Sequence, residues 1–176
     1  EHWLNSKELK LANLKGKAGI GHVRYSTTGG SVLIKAHPMV INTRRGKIAI
    51  AHNGNISNYR EIKDLCIKRG YMVRTTSDTE IIAHMIDYEL RRNEFEHALV
   101  NAFTPLIGSF SIVVLTDKGE LVVVRDSYGF RPLSIGKTAD ATLVSSENCA
   151  FYVLEAKFER DVEPGEIIIF KNGDRK

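Results

Sequence analysis

Cysteine is scarce in this chain of 176 residues. The two present, Cys66 and Cys149, stand far apart and belong to no metal-spaced pair. That excludes a disulfide scaffold and a cysteine-ligated zinc site as the basis of the fold, and it fits a reducing, cytoplasmic setting. The six histidines lack the close pairing on one helix face that a metal site wants. Long apolar runs are lacking too. Phe110 to Leu115 and Ile167 to Phe170 are strand-sized, far short of the ~20 residues of a membrane-spanning helix. No repeat or low-complexity tract interrupts the chain, and the glycines at 19 and 21 have no third partner at the spacing of a dinucleotide-binding turn.

The net charge of +4 permits attraction to phosphates, but basic residues are scattered among Asp and Glu. Arg44-Arg45 and Lys7 to Lys17 are the dense basic stretches, and neither carries the interleaved aromatics of a single-strand nucleic-acid platform. A solvated surface is expected, with no nucleic-acid or membrane partner and one soluble domain of ordinary size.

Hydrophobic periodicity predicts the elements. Leu4, Leu11 and Leu14 mark a short amphipathic helix, and Ala18 to Tyr25 a strand whose Gly19 and Gly21 allow close backbone approach. Lys47 to His52 alternates as a second strand. Asn58 to Glu61 has capping-box spacing before a helix that buries Ile62, Leu65 and Cys66 and ends at Gly70. Ser77 to Glu80 has the same spacing before a stripe of Ile81, Ile82, Met85, Ile86 and Leu90. Phe95, Ala98, Leu99 and Ala102 mark a third helix. Strands follow at Ser109 to Leu115, Leu121 to Arg125, Leu133 to Ile135, Leu143 to Ser145 and Ile167 to Phe170, with tight turns at Asp117-Lys118-Gly119 and Asn172-Gly173. Strands, then helices, then strands indicate an α+β domain of antiparallel sheets covered by helices.

Three polar segments stand out against this frame: GHVRYSTTG at 21–29, AHNGNISNY at 51–59 and TSDTE at 76–80. The central one reads as a strand running into a sharp polar turn, able to aim a side-chain amide and a backbone N–H at one point. Together they offer a fixed cation, a fixed anion and amide donors, the complement of an amino acid whose side-chain carbonyl is attacked.

With AHP at 36–38, RDSYGFRPL at 125–133 and SSE at 145–147, these segments form an ordered series that resembles the class II glutamine amidotransferase domain of the N-terminal-nucleophile hydrolase family, from about Gly19 to Phe170. The resemblance implies a four-layer αββα sandwich, here without its first strand and helix. It implies hydrolysis of the glutamine side-chain amide, in the branch that feeds ammonia to phosphoribosylamine formation for purine synthesis.

By resemblance, Arg24 binds the glutamine α-carboxylate, which suits a guanidinium fork, and Thr27 assists. Read alone, Arg24 is a surface or sheet-edge arginine. Asp78 would meet the α-ammonium, while the macrodipole already favours an acid at a helix start. Asn53 and Gly54 would form the oxyanion hole through a side-chain NH₂ and a backbone N–H; read alone, Asn-Gly is a plain turn. His37 and His52 are read as structural histidines bonded to backbone, with His37 helping to shape the site. The Asp126 to Pro132 segment is read as a turn tied by an Asp–Arg ion pair.

The family's nucleophile is an N-terminal cysteine whose own α-amino group takes the proton. This chain begins Glu1-His2-Trp3, so the nucleophile is expected upstream of Glu1 and the 176 residues alone are expected to be inactive. Cys66 and Cys149 read as small core residues. No cofactor is expected in this domain. The resemblance implies a downstream phosphoribosyltransferase domain as partner, magnesium there, an iron–sulfur cluster in some members, and room for a homo-oligomer. Two rivals stand beside this reading. One is the amidotransferase domain of glucosamine-6-phosphate synthase, where an aromatic followed by Ala-Thr-His usually replaces Tyr25-Ser26-Thr27-Thr28. The other is a non-catalytic domain that binds glutamine or a partner.

Overall fold

The protein is described here by a computed structural model covering residues 16–23 and 37–171 and the backbone of 174–175. The expected N-terminal helix, Arg24, Thr27 and the Asn172-Gly173 turn lie outside the described residues.

Among the described residues nine strands and four helices follow in order: β1 (Met39–Thr43), β2 (Gly46–Ile56), α1 (Tyr59–Lys68), α2 (Asp78–Leu90), α3 (Phe95–Phe103), β3 (Gly108–Thr116), β4 (Leu121–Arg125), β5 (Ser134–Lys137), β6 (Thr142–Ser145), α4 (Cys149–Val153), β7 (Lys157–Asp161), β8 (Ile167–Lys171) and β9 (Asp174–Arg175). A six-stranded sheet has the order β1-β2-β3-β4-β8-β9 and a three-stranded sheet the order β6-β5-β7. All pairings are antiparallel.

The period-two alternation sorts side chains between two apolar layers. Phe110, Ile112, Val114, Val122 and Val124 point to one face of the large sheet and pack with Ile81, Ile82, Met85 and Ile86 of α2 and with Ala98, Leu99 and Ala102 of α3. Val113, Val123, Ile168 and Phe170 point to the other face and meet Leu133, Ile135 and Val144 of the small sheet. At Gly136 of β5 the next face turns to α4, whose Phe151 ring would lie 2.8 Å from an added Cβ. Helices, large sheet, small sheet and helix thus make the αββα sandwich. Each fully buried Ile or Met contributes about 1.5–3 kcal/mol of transfer free energy, so the α2 stripe anchors that helix to the sheet.

Several local expectations are corrected. Residues 18–23 belong to neither sheet, and among the described residues nothing lies within 4 Å of a Cβ added at Gly19 or Gly21. Asn58 stands at the N-cap of α1 but makes no side-chain cap bond, so the expected capping box is absent. Its side chain donates to the Pro105 carbonyl and accepts from Ile107 N, both at 3.0 Å, tying α1 to the start of β3. α1 does end at Gly70 (φ +89°): Gly70 N bonds Ile67 O and Tyr71 N bonds Cys66 O, the paired closure of a Schellman motif. Cys66 is buried as expected, but Cys149 is exposed because it opens the short outer helix α4.

The Asp126 turn is held differently from the expected ion pair. The buried Asp126 carboxylate accepts backbone N–H groups from Phe110, Tyr128, Phe130 and Arg131. The neighbouring Arg125 guanidinium donates to the carbonyls of Gly129, Arg131 and Val162. Burial pushes the Asp126 carboxyl up, but the four N–H donors outweigh it and hold it below the usual range.

Candidate active site

β2 is longer than its alternating part suggests. It runs without a break through His52, Asn53, Gly54 and Asn55, paired with β3 in register Asn53↔Ser111 and Gly54↔Phe110. The expected sharp turn at Asn53-Gly54 is therefore strand. The reason Gly is required survives in another form. Gly54 has φ +140°, and a Cβ there would run into the Ser109 carbonyl oxygen and sit 2.7 Å from Phe110 Cα.

The register fixes where the Gly54 N–H points. Ser57 N bonds Ile107 O at 2.7 Å, and backbone groups of an antiparallel ladder alternate between bonding the partner and facing away. On that alternation Asn53 bonds β3, while Gly54 and Ile56 face the opposite edge. Phe110 agrees, since its N–H and C=O both turn to Asp126. β1 pairs only with residues 46–50 of β2, so among the described residues this edge carries no strand beyond Ile50. There Ile56 N donates to Asp78 Oδ2 at 2.8 Å. On the same alternation the Gly54 N–H, two residues earlier, points to this edge, and Gly54 lines the cleft.

That cleft has a volume of about 770 Å³ and is lined by Asn53 and Gly54 of β2, Thr76 to Thr79 at the start of α2, Ser111 of β3 and the Ser145 to Glu147 segment of the small sheet. Three of the residues singled out from sequence, Asn53, Gly54 and Asp78, therefore line one cavity. Arg24 and Thr27 lie outside the described residues. Ser111 reads in the sequence as an ordinary strand serine; only pairing with Asn53 brings it to the wall. Glu147 belongs to the SSE segment, whose sequence alone indicates no role.

Asp78 is the first residue of α2, behind Ser77 as N-cap. No side-chain cap bond forms at Ser77, so the expected capping box is absent. Burial raises the Asp78 carboxyl above its ordinary value, and the Ile56 N–H opposes that shift. One carboxylate oxygen, Oδ2, accepts the Ile56 N–H, and the residue lines the cleft.

In the same wall the Thr79 hydroxyl, itself buried, joins two imidazoles that also line the cleft: His37 Nε2 at 2.9 Å and His52 Nδ1 at 3.4 Å. The His22 and His37 rings lie 4.8 Å apart. His52 thus bonds a side chain and not the backbone expected of it. Burial, then the positive neighbours His37, His22 and Arg131, push its pKa down to about 3, so it is a neutral ring near pH 7. Among the described residues no group of three or more His, Cys, Asp or Glu is arranged to hold a metal, and no helix is long and apolar enough to cross a membrane.

The family profile of the glutamine amidotransferase domain matches residues 22–153. The amidophosphoribosyltransferase of Methanocaldococcus jannaschii is 40% identical over 169 residues, covering 96% of this chain and 36% of that protein. The chloroplastic amidophosphoribosyltransferase 1 of Arabidopsis thaliana is 42% identical over 163 residues, covering 92% of this chain and 28% of its own length. Among solved structures, the glutamine phosphoribosylpyrophosphate amidotransferase from B. subtilis complexed with ADP and GMP superposes with a TM-score of 0.78 at 36% identity, covering 88% of this chain and 33% of that one. The chain thus spans about a third of the length of the relatives it matches. By that profile match and by the superposition of its two-sheet sandwich, the chain belongs to the glutamine amidotransferase domain family.

Proposed function

We propose that this chain is the glutamine-hydrolysing domain of an amidophosphoribosyltransferase, releasing ammonia for phosphoribosylamine formation in purine biosynthesis. The observation that carries the reading is the convergence of Asn53, Gly54 and Asp78 on one cleft. The similarity to amidophosphoribosyltransferases over nearly the whole chain supports this branch over glucosamine-6-phosphate synthase.

In this reading the Asp78 carboxylate takes the α-ammonium of glutamine, and Arg24, assisted by Thr27, takes the α-carboxylate. The side-chain amide then reaches toward β2. A thiolate attacks its carbonyl carbon, the C=O pair moves onto oxygen, and the Asn53 NH₂ and Gly54 N–H donate to that oxyanion. Collapse breaks the C–N bond, ammonia leaves with the proton taken from the thiol, and water cleaves the glutamyl thioester to glutamate.

The thiolate is assigned to the N-terminal cysteine that this family uses. Cys66 does not suit the role: it is packed in the helix layer, bonded to the Ile81 carbonyl, with burial pushing its thiol up to about 11. Cys149 is exposed on α4 and does not line the cleft. Neither imidazole at 37 or 52 is needed as base. In this reading magnesium serves the phosphoribosyltransferase domain, and the iron–sulfur cluster of some members takes its ligands from outside the matching region; among the described residues no group of three or more His, Cys, Asp or Glu is arranged to hold a metal.

Assay of the full-length protein tests the reading. Glutamate release coupled to phosphoribosyl pyrophosphate consumption is expected. Amination of fructose 6-phosphate instead would transfer the domain to the hexosamine branch. Saturable glutamine binding by calorimetry without turnover would make it a sensor.

A further inference from the structure

Glu80 does not close the helix start that its spacing suggests. Instead its carboxylate reaches back to the segment before α2. Oε1 accepts Arg74 N at 2.7 Å, and Oε2 accepts Thr75 N and the Thr75 hydroxyl, both at 2.6 Å. The Thr75 hydroxyl in turn accepts Ser77 N at 3.1 Å. Glu80 is only 9% exposed, so these bonds form where water competes weakly.

Asp78 is two residues away on the same turn and bonds in another direction, to Ile56 N of β2. The start of α2 is therefore gripped at two points. One carboxylate ties it to the strand that carries Asn53 and Gly54, and the other locks the chain entering it. Between them lie Thr76, Ser77 and Asp78, which form the cleft wall. Losing the Glu80 grip frees the backbone at 74–77 and lets the Asp78 carboxylate turn away from the cleft, since a helix N-terminus is held by few other bonds.

We infer that Glu80 is a positioning residue for recognition of the glutamine α-ammonium, acting through Thr75 and Ser77 on Asp78. The inference rests on the reading of Asp78 given above. It also explains why the acid stands two places after Asp78 in Ser77-Asp78-Thr79-Glu80: the same helical turn presents one carboxylate to the ligand and the other to the loop that aims it.

The test uses the full-length protein with two substrates: glutamine, and glutaramate, which is glutamine without its α-ammonium. Glu80→Gln keeps the size of the side chain but replaces an acceptor oxygen with a donor. It is expected to raise KM for glutamine roughly tenfold, the scale of a weakened charge-assisted bond, with kcat within about twofold. Its kcat/KM for glutaramate is expected to stay within about twofold of wild type, because general damage to the site would lower both substrates alike. Thr75→Val, which removes the relay hydroxyl, is expected to act in the same direction, and Thr75→Ser to restore wild-type behaviour; this pair decides if Glu80→Gln does not fold. An unchanged KM in a folded variant, or equal losses on both substrates, would overturn the inference. Asp78→Asn serves as the reference. If it discriminates between the substrates and the Glu80 and Thr75 variants do not, the positioning role alone is wrong; if it fails to discriminate, the assignment of Asp78 falls first.

Discussion

Ile56 and Asp78 are joined by a hydrogen bond of 2.8 Å from the backbone N–H of one to the carboxylate of the other. This contact fixes the distance between the strand end that carries the amide donors and the helix start that carries the anion. The edge of β2 that carries no strand among the described residues beyond Ile50 thereby becomes one wall of the cleft.

Replacing Asn53 with Ala in the full-length protein should lower glutamine turnover by ~10²–10³, the usual cost of one oxyanion donor. Asn53 is only partly buried, so circular dichroism and the unfolding midpoint should change little. Near-normal turnover would remove Asn53 from the oxyanion hole.

Gly54→Ala and Gly70→Ala separate strain from function. Both glycines have positive φ, but a Cβ at Gly54 collides with the β3 backbone while one at Gly70 meets nothing within 4 Å. Gly70→Ala should cost about 1 kcal/mol in urea unfolding and leave turnover intact. The Gly54 substitution should be distinctly more destabilising and should abolish turnover. Equal effects in both assays would contradict the close approach of β2 to β3.

His52 should make the protein lose stability on acidification. Its folded pKa of about 3 lies below the unfolded value near 6.5, so between those limits the unfolded chain binds a proton that the folded one refuses. Its contribution is present above about pH 6.5 and declines as pH falls toward 3. Urea unfolding from pH 7 to 4 should therefore slope less steeply in His52→Gln than in wild type, and the His52 ring should not titrate in that range by NMR. Parallel slopes would place this imidazole in water.

Iodoacetamide should label Cys149 in the native protein and Cys66 only after unfolding, because the first is exposed and the second is buried with its thiol raised to about 11. Peptide mapping by mass spectrometry reads the two sites separately. Native labelling of Cys66 would mean that the α1–α2 contact opens on the labelling timescale.

Much of the fold is legible in the chain. The stripe at Ile81, Ile82, Met85, Ile86 and Leu90 repeats every three to four residues, and that spacing alone places it on one buried helix face. The Asp117-Lys118-Gly119 turn marks the β3–β4 hairpin for the same local reason, and Gly119 has φ +79°. Less visible were β1, β7 and α4, which are short and mixed in pattern. Lys157–Asp161 has the composition of a solvated loop and is a strand only because β5 supplies its hydrogen bonds.

By itself the sequence determined α1, α2 and α3, the main strands and the residue types gathered at 53, 54 and 78, because periodicity, glycine and short polar motifs act over a few neighbouring residues. Only the tertiary structure decided that Asn53-Gly54 is strand and not turn, that Glu80 grips the loop before its helix and not the helix cap, and that Asp126 binds four backbone N–H groups and not an arginine side chain. The first depends on pairing with β3, far along the chain, and the other two on which backbone N–H groups remain unpaired once strands and helices have formed, because an unpaired buried donor takes the nearest acceptor whatever the local spacing prefers.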